Sequence, residues 1–336
     1  MKLVKKQLFP HLKAALLRKA YVSAYWKIPG LLPDIKNPEI IEVELTNDCN
    51  MGCLHCHRTL FMKRAVGFME FETFKKIVDE IAQYPVKFLR ICGQGEPSLH
   101  PQFREIMAYA SGKDIKIEIT TNGEIFELFP FEEILRWDID IIGVSVDGID
   151  GPSYNKIRKG GDYDRLKQNI TGFYEFRNRA NKKYPMLCVR NVILPSYTPQ
   201  QIENFNLQWG KSTDQVTHNT FHDIIQKSST QGYNRCTDIF FYAHFNFDGS
   251  IRQCAYGFLY GSHEKIGNIK NDSIRNMWNS QTMRNLRWRH YKKDFPEVCK
   301  KCHETSKKHV GHQNSRIYNT SKNGVVKLLN RVINIT

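Results

Sequence analysis

Three cysteines in one short segment constrain this chain more than any other feature. Cys49, Cys53 and Cys56 follow the pattern C-x3-C-x2-C, which gathers three thiols around one loop and leaves a tetrahedral site one ligand short. A [4Fe–4S] cluster held by three cysteines keeps one iron open to a small molecule. The alternative is a structural zinc ion with His55 or His57 as the fourth ligand. The spacing by itself favours the cluster and leaves zinc open.

Two predicted strands run into turns that suit ligand binding. Residues 40–46 form an apolar run that ends just before Cys49, and residues 86–91 form another that continues into the sequence Cys-Gly-Gln-Gly-Glu-Pro. Gly93 and Gly95 in that turn allow a ligand to approach the backbone closely. Because α/β folds place their chemistry at the carboxyl ends of strands, we expect both segments to lie at one site.

Short apolar runs alternate with helix-length amphipathic segments from residue 40 to about residue 221, which is typical of βα units around a parallel sheet. The predicted strands cover residues 40–46, 86–91, 115–120, 140–146, 187–194 and 215–221. The predicted helices cover residues 71–84, 101–112, 128–136, 162–178 and 198–209. The expected fold class is therefore α/β, a partial (β/α)6 TIM-like barrel with a small C-terminal domain.

Turn signals also follow the third and fourth predicted strands. Asn122 and Gly123 end the third strand, and Ser145 ends the fourth just before an Asp-Gly pair. As a bare residue Ser145 is equally suited to capping a helix, and Arg158 to being a surface charge.

These features together resemble the radical S-adenosylmethionine (SAM) superfamily over residues 40 to about 221. The cysteine spacing is the signature of that family, with His55 at the position of its aromatic residue. The resemblance implies a cluster on Cys49, Cys53 and Cys56 that chelates SAM. It assigns the amino group of SAM to the Gly-rich turn and the carboxylate to Ser145 and an arginine, for which bidentate pairing is apt. The SAM-binding residues that it implies are Gly93, Gly95, Glu96, Asn122, Ser145 and Arg158.

A second cysteine set lies in the C-terminal third of the chain. Cys236 and Cys254 flank a predicted hairpin turn at Gly249, and Cys299 and Cys302 form a C-x2-C pair. By ligand type alone four thiolates favour zinc. The set resembles the auxiliary-cluster region called SPASM, and more closely its shortened twitch form with one cluster. The resemblance thus implies two [4Fe–4S] clusters in addition to SAM.

The resemblance implies reductive cleavage of SAM to a 5′-deoxyadenosyl radical that takes a hydrogen atom from a substrate. We expect a small polar substrate, such as a sugar, aminocyclitol or sugar conjugate, and dehydrogenation or epimerisation. The alternatives are modification of a ribosomal peptide, of a protein side chain or of RNA, and a zinc-binding scaffold without catalysis. Cys188 is a candidate hydrogen donor and His218 or His222 a candidate base, although Cys188 and Cys92 also suit a buried apolar role. A flavodoxin or ferredoxin is the expected electron donor.

Charge and the chain ends complete the expectations. The formal net charge is +15, but much of the excess lies near the ends, where solvated basic faces are the plainer explanation. Nucleic acid is therefore not an expected partner. Residues 1–38 are expected to pack as a basic amphipathic helix, with a membrane-surface helix as the alternative.

The expected division of the chain has four parts, and the expected compartment is the cytoplasm. We expect no export signal, because the basic N-terminus lacks an apolar h-region with a cleavage site, and no membrane span, because no apolar stretch is long enough. Nine cysteines in a reducing compartment indicate metal binding. The parts are an N-terminal extension over 1–38, a radical SAM core over 39–225, a SPASM/twitch domain over 226–310 and a basic tail over 311–336.

Overall fold

The computed structural model describes residues 37–84, 88–220, 236, 238–255, 266–302, 318–320 and 326–328. The expectation of an amphipathic helix over 1–38 therefore lies outside the described residues except for the last two. His222 also lies outside them. Within the described residues, no helix has the length and apolarity needed to cross a membrane.

The chain forms ten strands and twelve α-helices within the described residues. The strands are β1 (Ile40–Val43), β2 (Phe88–Ile91), β3 (Lys116–Thr121), β4 (Ile141–Ser145), β5 (Met186–Ile193), β6 (Gln215–Thr220), β7 (Tyr242–Phe245), β8 (Ile251–Arg252), β9 (Tyr318–Thr320) and β10 (Val326–Leu328). The helices are α1 (His57–Phe61), α2 (Phe71–Ile81), α3 (Phe103–Ala110), α4 (Ile125–Leu128), α5 (Phe131–Ile134), α6 (Gly151–Ile157), α7 (Tyr163–Arg179), α8 (Pro199–Trp209), α9 (Asp238–Phe241), α10 (Ile274–Trp278), α11 (Gln281–Lys292) and α12 (Glu297–Lys301). A 3₁₀ turn covers Pro97–Leu99.

All ten strands belong to one sheet, in the order β10-β9-β6-β5-β4-β3-β2-β1-β7-β8. The strands from β1 to β6 are neighbours in chain order and pair in parallel. Sequential parallel strands joined by helices are the arrangement of a TIM-like barrel, here left open with further strands at each edge. The predicted α/β partial barrel is confirmed.

The two faces of the sheet differ because residues alternate along each strand. The outer face is apolar, with buried residues such as Ile41, Leu89 and Ile117 beneath the helices. α2 shows how a helix covers this face, since its buried residues recur at helical spacing: Thr73, Phe74, Ile77, Val78 and Ile81. The inner face instead carries charged residues at matched positions on neighbouring strands, as described below.

The C-terminal region continues the sheet of the core. β7 pairs in parallel with β1, with Tyr242 opposite Ile40 and Phe245 opposite Val43. At the other edge, β9 pairs antiparallel with β6, so part of the segment expected as a tail lies in the sheet. Backbone hydrogen bonding therefore joins the N-terminal core to segments that follow it by more than a hundred residues.

His244 links β7 to its neighbours by charge. Its imidazole is 1% exposed, with Nδ1 3.0 Å from Glu42 Oε1 and Nε2 3.0 Å from Asp238 Oδ2. Burial alone would lower the pKa of His244, but Asp238 and Glu42 raise it to about 9. The folded state therefore favours the protonated imidazole.

We predict that His244 makes the stability of the protein depend on pH above neutrality. Because its pKa rises on folding, its contribution is complete below the ordinary value near 6.5 and is lost as pH rises through about 9. Chemical unfolding of the wild type and of His244→Gln at several pH values measures the contribution of His244 to the free energy of unfolding. The difference in free energy of unfolding between them should shrink as pH rises, and a constant difference would contradict the assignment.

Candidate functional site

The cysteine loop leaves β1 and ends at α1, where Cys56 occupies the N-cap position. Two backbone hydrogen bonds fasten it to the end of α6, from Gly52 N–H to Lys159 O at 2.8 Å and from Leu54 N–H to Ile157 O at 2.9 Å. The loop is therefore held by the segment that leads into Arg158, one of the predicted SAM residues.

The Gly-rich turn after β2 contacts the same loop from the other side. Glu96 N–H donates to Asp48 O at 2.7 Å. A Cβ on Gly95 would lie 2.2 Å from Asp48 O and 2.5 Å from Thr46 O, closer than any real side-chain carbon could approach. The packing of the turn against the loop therefore requires glycine at position 95.

Glu96 organises the ends of β2 and β3. Its carboxylate is buried and accepts hydrogen bonds from Asn122 N–H at 2.6 Å, Thr121 Oγ1 at 2.8 Å and Ser98 Oγ at 2.7 Å. Burial raises the pKa of Glu96 in spite of these donors. In this structure its carboxylate is committed to the protein, so binding of SAM by Glu96 stays a prediction.

Asn122 reaches from β3 to the cysteine loop. Its Nδ2 donates to Asn50 Oδ1 at 2.8 Å and lies 3.9 Å from Cys49 Sγ. Asn50 Nδ2 in turn donates to Glu124 Oε2 at 2.8 Å. The structure thus brings Asn122 against the cysteine loop, where the resemblance expects a SAM-binding residue.

Asp147 contacts both Arg158 and His55, and sequence reasoning did not identify this cluster of side chains. Its Oδ2 accepts from Arg158 Nε at 2.9 Å and Nη2 at 2.6 Å, and lies 3.1 Å from His55 Nε2. Burial opposes its ionisation, but Arg158 and His55 lower the pKa of Asp147 to about 2. The carboxylate that Arg158 holds in this structure is that of Asp147, so binding of the SAM carboxylate by Arg158 stays a prediction.

The inner face of the sheet carries an ion network across three strands. Glu118 on β3 lies between two arginines, with its carboxylate 3.3 Å from Arg90 Nε on β2 and 2.5 Å from Arg190 Nη2 on β5. Arg190 Nη1 also donates to Thr120 Oγ1 at 2.7 Å. To reach β3 it crosses β4 at Gly143, where a Cβ would lie 2.4 Å from Arg190 Cζ.

Exposure within this network is unequal. The side chains of Arg90 and Arg190 are 28% and 24% exposed, whereas that of Glu118 is 7% exposed. The arginine side chains are therefore more accessible than the carboxylate that they share. A molecule lying against this face would meet hydrogen-bond donors before acceptors.

Ser145 lies at the carboxyl end of the same face. It ends β4 and pairs in register with Arg190, and Val146 N–H donates to Arg190 O at 2.7 Å. The predicted SAM residue Ser145 and the inner-face network are thus neighbours on adjoining strands.

The predicted auxiliary cysteines lie at the opposite end of the sheet from the cysteine loop. Cys236 precedes α9 and β7, whose first residue Tyr242 pairs with the first residue of β1. Cys254 follows β8, which runs antiparallel to β7 and returns to that end. The extended chain from Ile40 to Leu45 spans roughly 16 Å, so the inner face runs between the two cysteine sets.

The second cysteine set gathers residues that are far apart in sequence. The pKa of Cys236 is raised well above its usual range, first by burial and then by charges that include Cys254 and Cys302. Cys299 and Cys302 are both buried. The expected hairpin is present, with Gly249 at φ 82° in its turn.

The two candidate catalytic residues lie on opposite faces. Cys188 shares the inner face with Arg190, is 2% exposed and lies 3.7 Å from Thr217 Oγ1. His218 points to the helical side, where its Nε2 lies 2.6 Å from Asn206 Oδ1 on α8. The structure therefore does not bring His218 together with the other site residues.

The donor chemistry of both cysteine sets fits iron–sulfur clusters. All seven candidate ligands are cysteines, and burial raises the pKa of Cys53 and of Cys299 to about 11, so these thiols would lose their protons on cluster binding. Within the described residues, no three Cys, His, Asp or Glu side chains converge closely enough to hold a single metal ion. Cys49, Cys53 and Cys56 would hold the first cluster, and Cys236, Cys254, Cys299 and Cys302 the second.

The open barrel, the three-cysteine loop at its carboxyl edge and the second cysteine set define a class of metal-dependent radical enzymes. Residues 43–206 match the family model of the radical SAM superfamily, and residues 236–303 match that of an iron–sulfur cluster-binding domain, SPASM. This chain belongs to the radical SAM superfamily and carries a C-terminal SPASM region. Its cofactors are therefore [4Fe–4S] clusters and SAM.

Curated relatives match parts of the chain at low to moderate identity. A probable GTP 3′,8-cyclase of Methanococcus maripaludis is 31% identical over 38% of this chain, and the match spans only 43% of that relative. The mycofactocin maturase MftC of Mycobacterium tuberculosis is 23% identical over 74% of this chain and 73% of its own length.

Two solved structures share the fold. BtrN in complex with AdoMet and 2-DOIA superposes with a TM-score of 0.52 at 14% identity, covering 87% of this chain and 99% of BtrN. Streptococcus suis SuiB bound to its precursor peptide SuiA gives a TM-score of 0.61 at 14% identity, covering 83% of this chain and 72% of SuiB. At this identity the likeness concerns the fold.

Sequence reasoning missed the inner-face arginines, although a signal was present. Arg90 stands in an otherwise apolar strand, and Arg190 in a strand whose only other strongly polar residue is Asn191, and a charge there is costly unless it is paired or serves a site. Their partner Glu118 lies on a strand that is separate in sequence, so the pairing itself required the tertiary structure. The contact of Asp147 with His55 and Arg158 was hidden for the same reason.

We predict that Gly95→Ala prevents formation of the first cluster. The added Cβ would collide with the backbone of residues 46–48, so the cysteine loop would have to move. Iron after anaerobic reconstitution should fall from about eight to about four per chain.

The matched control is Gly52→Ala in the cysteine loop itself. A Cβ added at Gly52 would have no heavy atom within 4 Å other than those of its two chain neighbours, so this variant should retain its iron. Equal iron in wild type and Gly95→Ala would show that the close contact does not support the cluster.

Proposed function

We propose that this protein is a radical SAM oxidoreductase or epimerase whose substrate is a small polar molecule, such as a sugar, aminocyclitol or sugar conjugate. The observation that carries the proposal is the charged inner face between the two cysteine sets. Parallel sheets are usually apolar on both faces. Here Arg90 and Arg190 stand where a buried sheet would have aliphatic residues, which favours a polar occupant.

The cysteine loop, the Gly-rich turn and Asn122 would hold the first cluster and SAM at the carboxyl edge of the sheet. When bound, these groups supply the 5′-deoxyadenosyl radical that removes a hydrogen atom from carbon. The protein orients the substrate: the guanidinium groups of Arg90 and Arg190 offer fixed donors to hydroxyl, carboxylate or phosphate oxygens. Holding the reacting carbon close to SAM is the main contribution that such positioning makes.

Within this proposal, the role of Cys188 distinguishes epimerisation from dehydrogenation. Burial raises its pKa, so the sulfur keeps the hydrogen that an epimerase would return to the substrate radical. The transfer would leave a Cys188 thiyl radical, which one electron from the auxiliary cluster and one proton from solvent would restore to the thiol. The inner-face position beside Arg190 supports this role. In an oxidation, by contrast, Cys236, Cys254, Cys299 and Cys302 would hold the cluster that takes one electron from the substrate radical, a proton would pass to a base or to solvent, and Cys188 would take no part.

Modification of a ribosomal peptide is the second candidate. It is supported by the similarity to MftC, a maturase, and by the fold shared with SuiB, which was solved with the precursor peptide SuiA. A peptide would enter the same inner face through its carboxylate or polar side chains. The discriminating feature is a gene for a small precursor peptide beside the gene for this chain.

The first experiment measures 5′-deoxyadenosine formed from SAM by the reconstituted protein under reductant. A panel of sugars and aminocyclitols is compared with any neighbouring precursor peptide, and substrate labelled with deuterium on carbon is used to detect transfer into 5′-deoxyadenosine. Stimulation and deuterium transfer with a sugar or aminocyclitol support the proposal. The same result with the peptide alone supports the second candidate, and zinc without 5′-deoxyadenosine supports a scaffold.

We predict that the two cysteine sets have separable roles. Cys53→Ala should abolish 5′-deoxyadenosine formation because it removes a ligand of the cluster that binds SAM. Cys299→Ala should still form 5′-deoxyadenosine but should release little oxidised product, since the auxiliary site is then incomplete. Liquid chromatography with mass detection of both products measures the split, and equal loss of both in the Cys299 variant would contradict it.

We predict that Arg190 contributes to substrate binding. Arg190→Gln should raise KM about tenfold or more, as loss of a charge-assisted hydrogen bond of about 1.5–3 kcal/mol implies. Gly143→Ala should act in the same direction, because its Cβ displaces the guanidinium without removing the charge.

Arg104→Gln is the matched control for Arg190→Gln. Arg104 pairs with Glu133 at 2.8 Å on the helical surface, and its side chain is 58% exposed. Steady-state kinetics with the substrate from the panel should show no change for this variant. An unchanged KM in both Arg190→Gln and Gly143→Ala would show that Arg190 does not contribute to substrate binding.

A further inference from the structure

His290 is a buried histidine that joins two of the auxiliary cysteines. It lies on α11, whose buried residues recur at helical spacing: Met283, Leu286, Arg287 and His290. Its side chain is fully buried and packs edge-on against Phe295, with ring centroids 5.0 Å apart. Helix packing therefore fixes the position of the ring.

The two ring nitrogens face different cysteines. Cys236 N–H donates to Nδ1 at 3.3 Å, and Nε2 lies 3.3 Å from Cys299 Sγ. A backbone amide is only a donor, so Nδ1 must present its lone pair. In the neutral imidazole the proton then sits on Nε2, which donates to the sulfur of Cys299.

We propose that His290 is a positioning residue of the auxiliary cluster, which fixes Cys236 and Cys299 and tunes the cluster's reduction potential through an N–H···S hydrogen bond. The proposal rests on the proposed assignment of the cluster to Cys236, Cys254, Cys299 and Cys302. One ring connects ligands that are 63 residues apart in sequence. Residues outside the ligand set determine cluster properties in this way in other metal sites.

The hydrogen bond has a defined effect on the bound cluster. A donor to a ligand sulfur withdraws electron density from it, and the reduced cluster carries the greater negative charge. The bond therefore favours reduction and raises the potential. This suits a site that must accept an electron from a substrate radical.

The test uses a full-length background in which Cys49, Cys53 and Cys56 are replaced by alanine, so that only the auxiliary site can hold a cluster. Iron and sulfide are measured after reconstitution, and the midpoint potential is measured by titration followed by electron paramagnetic resonance. About four irons in this background establish the premise before any change at His290. No iron there would overturn the cluster assignment and, with it, this proposal.

His290→Phe keeps the ring and removes both hydrogen bonds, whereas His290→Gln retains an amide donor. We expect His290→Phe to lower the equilibrium constant for reduction about tenfold, which is about 59 mV for one electron, and His290→Gln to lie between it and the background. Lys292→Gln, an exposed change on the same helix, should leave the potential unchanged. If His290→Phe fails to hold iron, retention of iron by His290→Gln supports the same role.

Two results would overturn the proposal. A His290→Phe variant with about four irons and the background's potential would show that the N–H···S bond does not tune the cluster. Loss of iron in both His290→Phe and His290→Gln, with the fold retained by circular dichroism, would show that an amide donor cannot replace the imidazole and would overturn tuning by the N–H···S bond as the role of His290.

Discussion

β1 is the strand on which both candidate metal sites depend. One of its edges pairs with β2, which delivers the Gly-rich turn to the cysteine loop, and the other edge pairs with β7, which begins beside the auxiliary cysteines. Backbone hydrogen bonds on both edges set the register of all three strands. The length of β1 therefore sets the distance between the two cysteine sets, and side-chain packing alone does not determine it.

The charges inside the open barrel are paired, and this pairing reduces the cost of a polar interior. An isolated charge on a sheet face would be costly to bury, but Glu118 is shared by two arginines, and Glu42 by His244 and Arg252. Pairing offsets the desolvation cost without abolishing it. A core of aliphatic residues would be at least as stable, so stability alone does not account for the network.

Close backbone approach is the second constraint on the site. Gly95 lets the turn after β2 lie against the carbonyl groups before Cys49, and Gly143 lets Arg190 lie across β4. Both glycines act through missing side chains, and the two contacts have different costs. A side chain at position 95 would collide with backbone carbonyl oxygens, which cannot move away. A side chain at position 143 would collide with the end of the Arg190 side chain, which can.

The amino-acid sequence by itself determined the fold class, the order of the six core strands, the longer helices between them and the two cysteine sets, because hydrophobic periodicity and ligand spacing are local properties. It did not predict α1 or α6, and it predicted one helix over 128–136 where the structure has α4 and α5. Strands at 40–46, 86–91 and 187–194 were predicted within two or three residues of β1, β2 and β5. Only the tertiary structure decided the pairing of β7 with β1, the Arg90–Glu118–Arg190 network, the separation of Cys188 from His218 and the link of His290 to Cys236 and Cys299. These contacts join residues that are distant in sequence, and no local pattern encodes which strand will lie beside which. Alternation fixes that Cys188 and Arg190 share a face, but the choice of inner or outer face follows from where the helices pack.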